Sequence, residues 1–198
     1  TSVRRVAKLL HTIAGQPIKL GRKGRPAVIA VRDLAEAAHC TPEQSAHLVD
    51  VMLAAGLLFT HRGHSGTDQL RVTESATQRW LMQLDYPERW IGLARATVTW
   101  FDARVRRGIE ESDGCLSVFV ARLPHDYPLL PDADVESLGS IIETADELGL
   151  TVHGWLTPAA EALLRGDERG ALELAPCKIF PDNVPALGSA RERIKLLC

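Results

Sequence analysis

One helix in this chain carries both of its ends in the sequence. Thr41-Pro42-Glu43-Gln44 opens it. Thr41 offers an oxygen to the free N–H groups of the first turn, Pro42 takes the first helical position, where its missing N–H costs nothing, and Gln44 completes a capping box. Gly56 closes the helix, because glycine enters the left-handed conformation without a Cβ penalty. Between these points Leu48, Val49, Met52, Leu53 and Ala55 form an apolar stripe at helical spacing. Upstream, Val31 to Ala38 predicts a shorter amphipathic helix, broken at His39-Cys40. Downstream, Leu57 to Thr60 and Gln69 to Val72 predict two strands around a glycine-bearing tip, His61 to Asp68. Helix, tight turn, helix and hairpin follow one another in the order of a winged helix-turn-helix.

Residues 2–13 predict the first helix of that unit, with Val3, Val6, Ala7, Leu9, Leu10 and Ile13 on one side. Gly15-Gln16-Pro17 stops it, and Val28-Ile29-Ala30-Val31 predicts a short strand beside the wing. Between them Lys19, Arg22, Lys23 and Arg25 stand around Gly21 and Gly24. Charge makes this stretch distinctive: the net charge of -2 hides eight basic residues and no acidic one before Asp33, leaving about -10 on the remainder. Closely spaced cations on a glycine-bearing loop suit phosphate contacts, since the backbone approaches closely and several charges reach one strand. The same composition also describes a solvated surface loop.

The outward positions of the second helix, Glu43, His47, Asp50 and Ala54, argue against its use as a reading helix. Base edges in the major groove are read by Arg, Lys, Asn or Gln, and two carboxylates there meet a negative phosphate background. Gln44 and Ser45 near the helix start are the polar exceptions. Arg62 and Arg71 on the wing, with His61 and His64, are better suited to the DNA backbone. Trp80, Trp90 and Trp100 fall within 21 residues on helical segments. Beside Arg79 and Arg89 they have the composition of a base-stacking surface, but tryptophan at this spacing is the signature of a packing centre. Arg104, Arg106 and Arg107 are read as cations at the end of the helix that starts near Pro87.

Composition breaks at Glu110 to Gly114 and at the proline-rich piece from Leu123 to Pro131 divide the chain. A winged-helix domain with a helical extension is expected over 1–110, a linker or closing segment over 111–132, and an acidic winged-helix-like subdomain with an irregular tail over 133–198. The first and last of these parts share a weak internal repeat. Helix, Ala55-Gly56-Leu57, hairpin, Val72-Thr73, helix is matched by helix, Leu148-Gly149-Leu150, hairpin, Leu156-Thr157, helix. The second copy is acidic, which suits a structural subdomain or a surface for a basic protein partner. A final amphipathic stretch is expected over 190–197.

Chemistry-bearing motifs are few. No Gly-x-x-x-x-Gly-Lys-Ser/Thr phosphate loop, Gly-x-Ser-x-Gly elbow or His-Glu-x-x-His pair occurs, so no catalytic residue, metal ligand or cofactor is assigned and the chain is read as non-enzymatic. His61-x-x-His64 lacks a supporting carboxylate for a zinc site. The four cysteines, Cys40, Cys115, Cys177 and Cys198, are scattered, no apolar run reaches eighteen residues, and the basic N-terminus has no signal-peptide core. Neither a membrane partner nor export is expected, and cytoplasm is the default location.

Val31-Arg32-Asp33-Leu34-Ala35, the run Met52 to Leu58, Glu88-Arg89-Trp90-Ile91-Gly92-Leu93-Ala94-Arg95-Ala96 and the segment Leu156 to Asp167 together resemble actinobacterial helicase-associated proteins with an XPB-type helicase N-terminal-like domain. The resemblance implies a non-motor protein or domain connected with DNA repair or helicase function. The expected architecture is mainly α with small β wings, arranged as tandem winged-helix-like units joined by helices. The expected function is a DNA-binding accessory module contacting phosphates through Lys19, Arg22, Lys23, Arg25, Arg62 and Arg71, with a possible helicase or other protein partner. The alternative is a scaffold that docks a helicase or forms a homodimer. A ligand-responsive repressor would require an apolar cavity near the three tryptophans.

Overall fold

The computed structural model describes residues 1–21, 24–63 and 66–175. These residues are mainly helical, with small antiparallel sheets. They divide into two compact units, residues 1–89 and the described chain from Trp90 onward. The division falls inside the helix Tyr86–Val98, not near residue 110 where the composition breaks.

The first unit runs α1 (Ser2–Gly15), β1 (Ile18–Lys19), α2 (Val28–Ala38), α3 (Pro42–Ala54), β2 (Leu58–Arg62), β3 (Asp68–Val72) and α4 (Glu74–Met82). Its core gathers the apolar side of α1, Leu34, Ala35 and Ala38 of α2, Leu48, Val49, Val51 and Met52 of α3, and Leu58 and Leu70 of the wing. The capping box at Thr41 is present: Gln44 N–H donates to Thr41 Oγ1 and Thr41 N–H to Gln44 Oε1, both at 3.2 Å. The turn between α2 and α3 closes on His39 in the left-handed conformation, with Cys40 N–H donating to Ala35 O at 3.0 Å.

Val28-Ile29-Ala30-Val31 is not a strand. It forms the first turn of α2, where Val31 N–H donates to Ala27 O at 3.0 Å. The place beside the wing is taken by Ile18 and Lys19, because Ile18 buries its side chain against the core opposite Leu70. Val28 and Ile29, by contrast, remain 68% and 72% exposed. Their β-branched propensity is overridden by the helix they begin, a common outcome where local preference and tertiary context disagree.

The second unit contains the C-terminal part of α5 (Tyr86–Val98), then α6 (Ala103–Glu111), α7 (Leu116–Asp126), α8 (Asp132–Leu148), β4 (Thr151–Val152), β5 (Trp155–Leu156), α9 (Pro158–Leu164) and α10 (Glu168–Glu173). From α6 to α9 this repeats the first unit's order. Cys115, between α6 and α7, bridges to Trp155 of β5, as β1 between α1 and α2 pairs with β3. Segment 111–132 is thus chiefly the first helix of a second helix-turn-helix pair and not a linker.

The two copies also agree in their hydrogen bonds. Leu57 N–H donates to Met52 O and Gly56 N–H to Leu53 O; Leu150 N–H donates to Ala145 O and Gly149 N–H to Asp146 O. Both helices therefore end in the same Schellman closure. The carbonyls of Leu57 and Leu150 then accept from Thr73 N–H and Thr157 N–H, each at 2.9 Å, and each threonine sits at the N-cap of the next helix.

Helix α5 stops at Val98, and Asp102 starts α6, so Arg104, Arg106 and Arg107 lie on a new helix and not at the end of the previous one. Asp102 Oδ1 accepts from the N–H groups of Arg104 and Val105, each at 2.9 Å. The Val105 N–H first, with Arg104 adding to it, holds the Asp102 carboxyl below the ordinary carboxylate range. A depressed folded value means that this stabilisation is complete above the unfolded value of about 3.9 and disappears as pH falls through the folded value. Asp102→Ala is expected to cost about 1 kcal/mol at pH 7 and less at pH 2. Urea unfolding at both pH values tests this, and an equal loss at each would rule out the cap as its origin.

Candidate nucleic-acid interface

The sheet of the first unit has strand order β1-β3-β2, all antiparallel. Its register sorts the side chains. Leu58 with Val72, Thr60 with Leu70 and Arg62 with Asp68 form one face, which continues the core at Leu58 and Leu70. Phe59 with Arg71, His61 with Gln69, and Lys19 opposite Gln69 form the other, since residues directly paired share a face and successive residues alternate.

The same register locates the two loops. β1 runs antiparallel to β3, whose first residue, Asp68, leaves the wing tip. The chain leaving β1 therefore turns at the wing-tip end of the sheet, where Leu20 N–H donates to Asp68 O at 2.8 Å. The turn following β1 and the wing tip share one bonding pattern. Gly24 N–H donates to Gly21 O at 2.9 Å and Gly21 N–H to Arg25 O at 2.8 Å; Gly66 N–H donates to Gly63 O at 2.9 Å and Gly63 N–H to Thr67 O at 3.0 Å. Gly24 and Gly66 have φ of 70° and 74°, the left-handed fourth position at which such hairpin loops favour glycine. The basic loop is thereby flanked by a hydrogen-bonded turn and by the Leu20–Pro26 bridge.

The predicted contact residues fall at three places. Lys19 and Arg71 are exposed on the solvent face of the sheet. Arg25 is exposed at the closing side of the first turn. Arg62 is exposed near the wing tip on the opposite face, directly across from Asp68, so part of its field is offset. Arg22 and Lys23, like His64, lie outside the described residues. Arg71 Nη2 donates to Gln69 Oε1 at 3.2 Å, an arrangement that fixes the guanidinium over the sheet. Phe59 and His61 lie edge to face, with ring centroids 6.4 Å apart and planes at 77°. The sequence reading valued the cations and overlooked Phe59 and Gln69; the alternation Leu58, Phe59, Thr60, His61 against buried Leu70 is the signal that would have found them.

The outward side of α3 is acidic, as expected: Glu43, Asp50 and Ala54 are exposed and His47 is half-buried. The Glu43 carboxyl is held below its ordinary range, first by its own backbone N–H and then by the Thr41 hydroxyl. The Asp50 carboxyl is pushed up by desolvation although the residue is exposed, while Arg25 and His47 pull it down. The two polar residues at the helix start are committed elsewhere: Gln44 serves the capping box and Ser45 is fully buried. This helix presents little that reads base edges.

Trp80 and Trp90 are buried. In the first unit, Trp80 Nε1 donates to Arg89 O at 3.3 Å and the Arg89 guanidinium lies 5.7 Å from the Trp80 ring centroid. Arg89 itself is buried and donates to Leu81 O at 2.9 Å and Leu84 O at 3.0 Å, so burial lowers its pKa while carbonyls behind α4 hold its charge. That cation supports the fold and is not offered to a ligand.

Charge separates the two units. Residues 1–89 contain twelve basic and eight acidic side chains; residues 90–175 contain seven basic and fifteen acidic ones. The first unit's side chains are thus net basic and the second's net acidic. Among the described residues no helix is long and apolar enough to cross a membrane. No family model, curated protein or solved structure matches the chain.

Proposed function

We propose that this chain is a non-enzymatic DNA-binding accessory module that holds nucleic acid through its phosphate backbone at the tip end of the first unit's sheet. The observation that carries this reading is the register of β1 on β3, which brings Lys19, the Gly21–Arg25 turn and the wing tip to one end of one sheet. The acidic exterior of α3 supports backbone contact over insertion of that helix into the major groove. A role beside a helicase, in DNA repair or transcription, follows from the sequence resemblance and belongs to the same proposal. Gel-shift titration with a duplex of about 20 base pairs is expected to show binding at low salt that weakens steeply as salt rises. Absence of binding at 50 mM salt would end this reading.

A protein-docking role is favoured by one observation in the second unit. Val152 and Trp155 pair directly across the β4-β5 hairpin and are 56% and 53% exposed, at the position that Phe59 and Arg71 occupy in the first unit. An exposed tryptophan on an acidic unit is a candidate anchor for a second copy or another protein. Light scattering across a concentration series tests the homodimer: the wild-type mass is expected to rise with concentration, and that of Trp155→Ser to stay at the monomer value. A wild-type mass that never leaves 21.7 kDa excludes self-association.

A further inference from the structure

We propose that the solvent face of the first unit's sheet is a binding site for an unpaired nucleobase, with Phe59 on the edge strand β2 as the stacking platform and Arg71 and Lys19, successively further across the sheet, as phosphate contacts. The proposal rests on the nucleic-acid reading above and adds to it the class of nucleic acid: a single strand, or a strand frayed from a duplex.

Phe59 is 42% exposed, whereas its neighbour Leu58, on the other face of the strand, is buried in the core. Burial of an exposed phenylalanine ring is a favourable use of its surface, and every base has an apolar face that fits it. What surrounds the ring selects a nucleic acid over a protein side chain. Arg71 stands directly across from Phe59, Lys19 lies one strand further along the row that contains Gln69 and His61, and no carboxylate shares this face of the sheet. Asp68, the sheet's single acidic residue, is on the other face, opposite Arg62. Lys19 and Arg71 form no ion pair among the described residues, so both charges are available to an anion. The edge-to-face contact with His61 limits rotation of the Phe59 ring, and the bond from Arg71 to Gln69 limits that of the guanidinium. Both restraints lower the entropy lost when a ligand is bound. An aromatic ring beside two cations is the combination by which single strands are held without sequence preference: stacking on the base and electrostatics along the backbone. A base inside a duplex is already stacked and does not offer its face, so the ring discriminates by strandedness.

The test is fluorescence anisotropy with the full chain, a labelled 15-nucleotide oligothymidylate and a duplex of equal length, at 50 mM salt. Phe59→Ala is expected to weaken single-strand binding about tenfold, the typical effect of removing one stacked base contact, and to change duplex affinity by less than about twofold. Phe59→Trp is expected to keep single-strand affinity, since it restores a stacking face. The salt dependence should be the same for all three proteins, because no phosphate contact is touched. Unchanged single-strand affinity in Phe59→Ala overturns this site while leaving phosphate binding intact. Equal losses on both nucleic acids, or failure of Phe59→Trp to bind like wild type, also overturn it. Wild-type protein that binds neither oligonucleotide removes both this site and the reading it rests on.

Discussion

Replacing Lys19, Arg22, Lys23 and Arg25 together by Ala is expected to flatten the salt dependence of DNA binding. A protein neutralising Z phosphates of duplex DNA shows a log–log slope of about -0.9Z. If all six proposed cations touch phosphate, wild-type affinity falls roughly a thousandfold between 50 and 200 mM salt, whereas the variant, keeping only Arg62 and Arg71, loses about tenfold. Lys19, on β1, and Arg25, at the turn that follows, are both exposed, so their loss should leave the fold intact. Circular dichroism of the variant checks that. Gel shifts at five or six salt concentrations give the two slopes. Equal slopes would show that these cations do not meet phosphate, whatever the affinity at any one salt concentration.

The second large effect concerns stability. Trp90 is 2% exposed in the second unit and its Nε1 donates to Leu148 O at 2.7 Å. Leu148 ends α8, where the last carbonyls have no partner within the helix. Leu150 and Gly149 N–H groups serve Ala145 and Asp146, and the indole serves Leu148. Trp90→Ala removes both the packing volume and the donor, with an expected loss of about 3–5 kcal/mol. Trp90→Phe keeps most of the ring and deletes the bond, leaving a buried carbonyl short of a partner at a cost of about 1–3 kcal/mol. Urea unfolding followed by far-ultraviolet circular dichroism separates the two. A loss below about 1 kcal/mol for Trp90→Ala would mean that this ring is not a packing centre of its unit.

Local chemistry determined much of this protein from the sequence alone. The capping box at Thr41, the glycine closures at Gly56 and Gly149, and the threonine that begins each following helix are all decided within six residues, so the helices and the repeat between the two units were legible. The helical spacing of Trp80, Trp90 and Trp100 likewise pointed to burial; Trp80 and Trp90 are buried, whereas Trp100, in the turn after α5, is half-buried. The acidic exterior of α3 needed only the helical period once Leu48 and Met52 were turned inward.

Tertiary structure decided what depended on partners distant in sequence. Val28 to Val31 had the better strand composition, but Ile18 and Lys19 took the place beside β3, some fifty residues away, because burying Ile18 opposite Leu70 fixes the register. A strand's side chains change faces with each one-residue step, so until that register was known neither the shared face of Lys19, Phe59 and Arg71 nor the separation of Arg62 from them was knowable. The start of the second unit was hidden for the same reason. Cys115 becomes a strand residue only through its bridge to Trp155, forty residues later, and without that bridge the segment around it read as a linker or as a piece closing the first domain. Helix ends are written in neighbouring residues, whereas strand register and unit boundaries are set by pairing free energy between segments that the chain must first bring together.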